Sequence, residues 1–471
     1  MKILVAASEV YPFASTGGLA GVTGSLPIAL EKAGHTVKVI MPLYHDIDRS
    51  GDFRWIRGKF STSAGEKFVV AESVLPGSGV PVYFVSSDEY FDRSGIYGPD
   101  DESAFDDNAD RFAFFSRAVV AFCENSNEPP DVLHCHDWQT GLIPAYLRNS
   151  VKPSVVFTIH NMHFQGNFPI EKYGCTHLPW SLFTMEGLEF YGKFSFLKAG
   201  IVYADQVTTV SRTYAEEIKS PEFGAGFEGL LLERSDDLTG ILNGIDYDAW
   251  NPETDRTLSA TYTADSISPR RKCRKALLDE LGLNYKVGGK ITVGVVSRLT
   301  KQKGLDLLFP VIADLAERGF NFVILGTGES YCMNRLSELS MEHPGGISVT
   351  LKYDEAMARK IFSSCDVILM PSRFEPCGLA QMIGMRYGAV PVVNSTGGLA
   401  DTVIDEEDGG FGFVMKKADS VELHKSILRA GELYKRRNRW AWIVKKCMRQ
   451  DNSWNSRISA YESVYSRAVE A

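Results

Sequence analysis

The chain has 471 residues, 44% of them hydrophobic and 23% charged, with a formal net charge of −9. That length exceeds what one growing core supports, so two domains are expected, and the acidic balance argues against a general nucleic-acid binder. No apolar stretch is long enough to cross a membrane or to serve as a signal sequence, and the eight cysteines lack C-x-x-C spacing, reading as reduced thiols of a cytoplasmic protein.

Lys2–Ala7 reads as a first strand, followed by a loop, Ser8–Ala20, that carries Ser15, Thr16, Gly17 and Gly18. A helix over Val22–Lys32 and a strand over Thr36–Met41 complete one βαβ unit. Lys67–Glu72 and Val80–Val85, separated by Pro76-Gly77-Ser78-Gly79, predict a hairpin inserted in the α/β frame. Asp107–Phe122 is amphipathic and predicts a helix. Asp131–His134 and Ser154–Ile159 read as buried strands, each running into a histidine-bearing loop, and Gln206–Val210 is expected to close the sheet. Periodicity fades over residues 220–262, which gather Gly, Pro, Asn and Asp, so the domain boundary is expected there.

A second βα series follows. Strands are predicted at Ile291–Val296, Phe322–Leu325, Gly346–Leu351, Val367–Met370 and Val390–Val393, with a helix from Gly304 and others at 354–363, 378–387, 419–432 and 435–448. Trp454 to Ala471 reads as one more amphipathic helix. Thr16-Gly17-Gly18-Leu19-Ala20 recurs as Thr396-Gly397-Gly398-Leu399-Ala400, at a strand-to-helix turn in each half.

The chemistry gathers at the carboxyl ends of strands, where open α/β sheets bind ligands. Glu375 falls in the loop after Val367–Met370, and the N–H groups of Cys377, Gly378 and Leu379 are expected to open the next helix and to favour an anion or a polar sugar edge. Arg298 and Lys303 follow Ile291–Val296; an arginine fork and a lysine point charge suit a diphosphate, although either alone reads as a solvated loop cation. Gly17 and Gly18 permit close backbone approach to a phosphate. Asp137 is placed to cap the helix after it, and the His160 ring to bond either a ligand hydroxyl or a loop carbonyl. His134, His136, Asp137, His160 and His163 match no metal-ligand spacing, and no G-x-S-x-G is present.

Taken together, STGGLAGVTGSLP (15–27), HCHDWQT (134–140), TIHN (158–161), LNGID (242–246), SRLTKQKG (297–304), PSRFEPCGL (371–379) and STGGL (395–399) resemble the bacterial glycogen synthase and plant starch synthase family, in that family's order along nearly the whole chain. The resemblance implies a GT-B fold: two Rossmann-like doubly wound domains facing across a cleft, residues 1–245 and 246–453, with a C-terminal helix, 454–471, returning to the first. It implies retaining transfer of glucose from ADP-glucose, or less often UDP-glucose, to the non-reducing end of an α-1,4-glucan, without metal or other cofactor, nucleic acid or membrane. By the same resemblance Arg298 and Lys303 hold the diphosphate and Glu375 the donor sugar, beside Cys377, Gly378 and Leu379. His160 faces the sugar, while Ser15, Gly17, Gly18, Asp137, Asn243 and Thr396 fall at substrate-binding positions. Ser15 and Gly21 depart from the family's K-T-G-G-L-A-D-V, removing one cation from the first domain. That departure keeps a weakly active or non-catalytic glucan-binding relative in view, beside a transferase acting on another acceptor. A nicotinamide dehydrogenase is excluded more firmly, since no G-x-G-x-x-G opens either half.

Overall fold

A computed structural model describes residues 1–50, 53–99, 103–151, 153–283 and 291–470, and these divide into two compact units. Residues 1–244 with 454–471 form the first, and residues 245–453 the second.

The first unit is built on a sheet whose parallel portion runs, from one edge, Leu238–Gly240, Gln206–Thr209, Ser154–Ile159, Val132–His136, Lys2–Ala6, Thr36–Pro42 and Pro81–Ser86. Nearly continuous apolar runs suit these strands, because helices cover both faces of a parallel sheet. From Lys2–Ala6 the chain builds outward on one side, then crosses to Val132–His136 and builds the other way. The reversal between those two strands is the point at which such sheets bind ligands. The predicted hairpin exists, Lys67–Val74 against Pro81–Ser86, and its second strand joins Thr36–Pro42 in the main sheet. Gln206–Thr209 does not close the sheet; the short strand Leu238–Gly240, inside the stretch that had lost periodicity, pairs outside it. A separate three-stranded antiparallel sheet, Asn167–Pro169, Glu189–Phe190 and Lys193–Ser195, carries no alternation long enough to read in sequence.

The final segment is a short 3₁₀ turn, Trp454–Ser456, then the helix Ile458–Glu470. Tyr461, Val464, Tyr465 and Ala468 form its buried stripe, at the 3–4 spacing that puts them on one face. Trp454 Nε1 donates to Ser25 Oγ at 2.7 Å, and Arg467 to Gln206 Oε1 at 3.1 Å, fixing both ends within the first unit.

The second unit holds one parallel sheet, in the order Ile347–Thr350, Phe320–Leu325, Ile291–Val296, Val367–Met370, Val390–Asn394, Phe413–Met415. Its reversal lies between Ile291–Val296 and Val367–Met370, the two strands that lead into the Arg298 and Glu375 loops. The helix expected from Gly304 is a single 3₁₀ turn, Leu305–Leu307, and the α-helix comes later, at Ile312–Glu317. Among the described residues no helix is long and apolar enough to cross a membrane.

Candidate active site

In the first unit the loop after Lys2–Ala6 is organised by a buried carboxylate that the motifs do not reveal. Glu9 is 3% exposed, and its oxygens accept from Thr16 N at 2.5 Å, Thr16 Oγ1 at 2.9 Å and Tyr97 Oη at 2.6 Å. These bonds replace the water that a buried carboxylate loses. They fix Thr16 and so the approach to Gly17-Gly18. In the sequence, Ser8-Glu9 reads only as the polar end of an apolar run.

The helix begins at Gly18, four residues before the expected Val22. A Cβ built on Gly17 or on Gly18 meets no atom of the described residues within 4 Å. Packing among those residues therefore does not explain the pair, which leaves an open backbone surface. Ser15 is exposed beside it.

Asp137 does not cap the turn that follows it. Its backbone sits at φ +58°, and its Oδ1 instead accepts the backbone N–H of His160 at 2.7 Å, tying the end of Val132–His136 to the loop after Ser154–Ile159. Burial drives its pKa up to about 7, with the His160 N–H opposing and Glu9 adding to the rise. The cap expectation failed because a side chain in this left-handed conformation points across the sheet edge rather than back over its own turn. The His160 ring satisfies no loop carbonyl among the described residues: its Nε2 lies 2.9 Å from Nδ1 of His136. Burial holds the His160 pKa down at about 3, so the ring is neutral at working pH. Asn243 is buried, and its Oδ1 has no hydrogen-bond partner among the described residues.

In the second unit, Lys303 Nζ lies 2.6 and 2.8 Å from the two oxygens of Glu375, and Ser372 Oγ donates to the same carboxylate at 2.9 Å. The Glu375 side chain is 6% exposed and that of Lys303 16%, so neither is a solvated loop charge. Arg373, inside the PSRFEPCGL motif but given no role by it, ties down the loops on either side. Its guanidinium holds Asp306 bidentately at 2.7 and 2.9 Å and reaches the Lys301 carbonyl at 2.6 Å, pinning the two loops together. Arg298 is the contrast: it is exposed, and its guanidinium has no partner among the described residues.

The helix expected at 378–387 starts at Ala380, so Cys377, Gly378 and Leu379 belong to the loop before it. Gly397 and Gly398 pack directly on that loop. Gly397 has φ +45°, and a Cβ there would lie 2.0 Å from the Glu375 carbonyl oxygen; at Gly398 it would lie 2.2 Å from that of Cys377. Thr396 is buried at the head of the same turn, its N–H bonded to the Asn394 carbonyl. Tyr353, 82% exposed just beyond Ile347–Thr350, offers a flat ring at the carboxyl edge of the same sheet. Only its tertiary placement marks it. No group of three or more His, Cys, Asp or Glu side chains that could hold a metal ion occurs among the described residues.

The family model described as starch synthase catalytic domain matches residues 2–233, and that of glycosyl transferases group 1 matches residues 284–446. The chain is 42% identical over 482 residues to a glycogen synthase of Syntrophotalea carbinolica, covering 100% of this chain and 99% of the relative. It is 43% identical over 486 residues to glycogen synthase 2 of Geobacter sulfurreducens, with the same coverage. Among solved structures, the catalytic domain of starch synthase IV from Arabidopsis thaliana, bound to ADP and acarbose, matches with a TM-score of 0.92 and 32% identity, covering 100% of this chain and 99% of that one. A sucrose-phosphate synthase from Thermosynechococcus elongatus shares the fold at a TM-score of 0.62 and 17% identity, over 99% of this chain and 98% of that one. The architecture is GT-B, two Rossmann-like units, the first built on a largely parallel sheet and the second on a parallel one.

Proposed function

The chain belongs to the glycogen and starch synthase family of glycosyltransferases, and on that premise we propose that it moves glucose from ADP-glucose to the non-reducing end of an α-1,4-glucan, with retention. The observation that carries the residue assignment is the sheet reversal of the second unit. There an exposed guanidinium, without a partner among the described residues, stands in the loop that also carries the lysine of a buried lysine–glutamate couple. In this reading the anomeric C–O bond breaks and its electron pair leaves on the diphosphate, while the acceptor hydroxyl forms the new bond and passes its proton to the departing diphosphate. Arg298 and Lys303 stabilise the charge growing on the diphosphate, where fixed cations do most for the rate. Glu375, held by Lys303 and Ser372, accepts from hydroxyls of the donor sugar, and the N–H groups of Cys377-Gly378-Leu379 with Thr396 line the same loop. Tyr353 gives the base a stacking face.

Within the first unit, His160 is assigned to a sugar and the open backbone at Gly17-Gly18 to phosphate, with Ser15, Asp137 and Asn243 as further substrate-binding positions. The donor is assigned mainly to residues 246–453 and the glucan to residues 1–245, with 454–471 as support. Eight unbridged cysteines, seven of them buried, support a cytoplasmic setting.

The test is nucleoside diphosphate release from ADP-glucose and from UDP-glucose, each with and without glycogen and with a chelator present. Glycogen-dependent release, faster from ADP-glucose, is expected. Glycogen binding without release from either donor overturns the reading in favour of a non-catalytic glucan binder.

A further inference from the structure

Three histidines of the first unit form one connected array, and its hydrogen bonds can be assigned direction. The Tyr465 hydroxyl, on the C-terminal helix, lies 2.9 Å from His134 Nδ1, and that is the hydroxyl's one partner among the described residues. A buried hydroxyl gives its proton to the available acceptor, so His134 is protonated at Nε2 and donates to Thr158 Oγ1 at 2.6 Å. The His134 ring lies over that of His136, with centroids 4.1 Å apart and planes 37° apart. His136 Nδ1 then meets His160 Nε2 at 2.9 Å, while His136 Nε2 is buried with no partner among the described residues. His160 is part-exposed, and its Nδ1 has no partner among them either.

Burial keeps all three rings neutral. A close contact between two neutral imidazole nitrogens holds a single proton. If His160 gave that proton, His136 would keep a buried N–H at Nε2 with nothing to receive it. If His136 gives it, Nε2 of His136 is a bare lone pair. Orphaned buried donors are rarer and costlier than underfilled acceptors, so the second arrangement wins.

We infer that His136 is a positioning residue for the transfer reaction: it donates Nδ1–H to Nε2 of His160 and locks His160 in its Nδ1–H form, an obligate hydrogen-bond donor to the bound sugar. This rests on the assignment of His160 to the sugar. It excludes His160 as a base toward the acceptor hydroxyl, because the nitrogen with the lone pair is the one held by His136 and the nitrogen facing outward carries a proton. The ring can give a bond to a hydroxyl oxygen of the glucosyl group and can accept none.

Long-range ¹H–¹⁵N correlation spectra of the full chain, labelled with ¹⁵N-histidine, read the tautomer directly, with the His160 signals identified by their loss in His160→Gln. Nδ1 protonated and Nε2 bare is expected for His160. His136→Phe should release it toward the Nε2–H form and lower kcat about tenfold, the loss of one hydrogen bond in the transition state, with the glucan KM unchanged. His136→Asn, whose amide N–H takes the place of Nδ1–H, should restore both the tautomer and the rate. A wild-type His160 protonated at Nε2 overturns the inference, and so does a His136→Phe variant in which the tautomer does not move. The spectrum needs no turnover, so an inactive wild-type protein would sink the glucosyltransfer reading alone.

Discussion

The same five residues, Thr-Gly-Gly-Leu-Ala, occur at 16–20 and at 396–400, and each copy leads into a helix at a strand's carboxyl end. They have glycines for opposite reasons. In the second unit Gly397 has φ +45° and lies against the Glu375 carbonyl, so internal packing demands the missing side chain. In the first unit Gly17 has φ −170°, which any residue adopts, and open space surrounds both glycines. A glycine that the fold does not need is a sign that something outside the chain comes close. One copy packs against its own chain and the other leaves open space.

The units also differ in how they bury charge, and this gives the largest expected effect. The first unit holds His134 and His136, both buried, and the part-exposed His160 as neutral rings, the first and last with pKa values near 3 against an ordinary 6.5. Between about pH 3 and 6.5 the unfolded chain binds protons there that the folded unit refuses, so stability is lost as pH falls through that window. Asp137 opposes this. Its folded pKa of about 7 exceeds the ordinary 3.8, so the folded unit holds a proton that the unfolded chain has lost, and acidification through about pH 7 to 4 favours folding. Each group contributes about 1.4 kcal/mol per pH unit, so between about pH 6.5 and 4 three against one leaves a net loss of about 3 kcal/mol per unit at most. In the second unit burial alone would raise Asp255, Asp306 and Asp405, but bonds from Thr257, Arg373 and Arg429 hold them below the usual range. Their contribution is present above about pH 4 and lost below it. Hydrogen exchange from pH 7.5 to 5 should show the first unit opening well before the second; simultaneous opening would contradict the neutral histidine array.

The glycine contrast is broken most directly by adding a methyl group to each copy. Gly397→Ala should cost ~2–4 kcal/mol in urea denaturation, since strain and a carbonyl clash coincide. Gly17→Ala should stay within about 0.5 kcal/mol of wild type, yet lower kcat/KM for the donor. Equal stability losses would mean that both glycines serve packing alone.

The paired and unpaired cations make a similar contrast inside the second unit. Arg298→Ala should slow turnover by ~2–4 kcal/mol, roughly two to three decades, and leave stability unchanged. Lys303→Ala should slow turnover comparably and also destabilise the fold by ~1–3 kcal/mol, because it strands a buried carboxylate. Thermal melts beside donor kinetics separate the two. Near-normal turnover in Arg298→Ala would return that residue to the solvent.

The smallest effect is a gain. Ser15→Lys restores a charge beside the open glycine pair and should raise donor kcat/KM by ~1–2 kcal/mol, about tenfold, shrinking as salt is added. If the missing aspartate at Gly21 orients that lysine, the double variant Ser15→Lys, Gly21→Asp should exceed the single one. No gain from either would mean that this position does not limit the enzyme.

Read by itself, the sequence determined the βα order of both halves, the loops that carry Arg298, Lys303 and Glu375, and the family. Apolar runs such as Val367–Met370 and glycine-bearing turns are local facts, set by burial on both faces of a parallel sheet and by backbone geometry. Where each side chain turns was decided only by tertiary structure. Asp137 reads as a helix cap in its own neighbourhood, but its bond goes to the backbone of His160, 23 residues away. Lys303 reads as a loop cation, but lies on Glu375, 72 residues away. Tyr465 reads as one residue of an amphipathic stripe, yet fixes His134, 331 residues earlier. Glu9 has no pattern to betray it, and the motifs that contain Arg373 and His136 do not name their partners, because a buried polar group is assigned its partner by whatever the sheet order brings beside it. Losing water makes that partner obligatory, and strand order, unlike strand identity, is not written within any single stretch of chain.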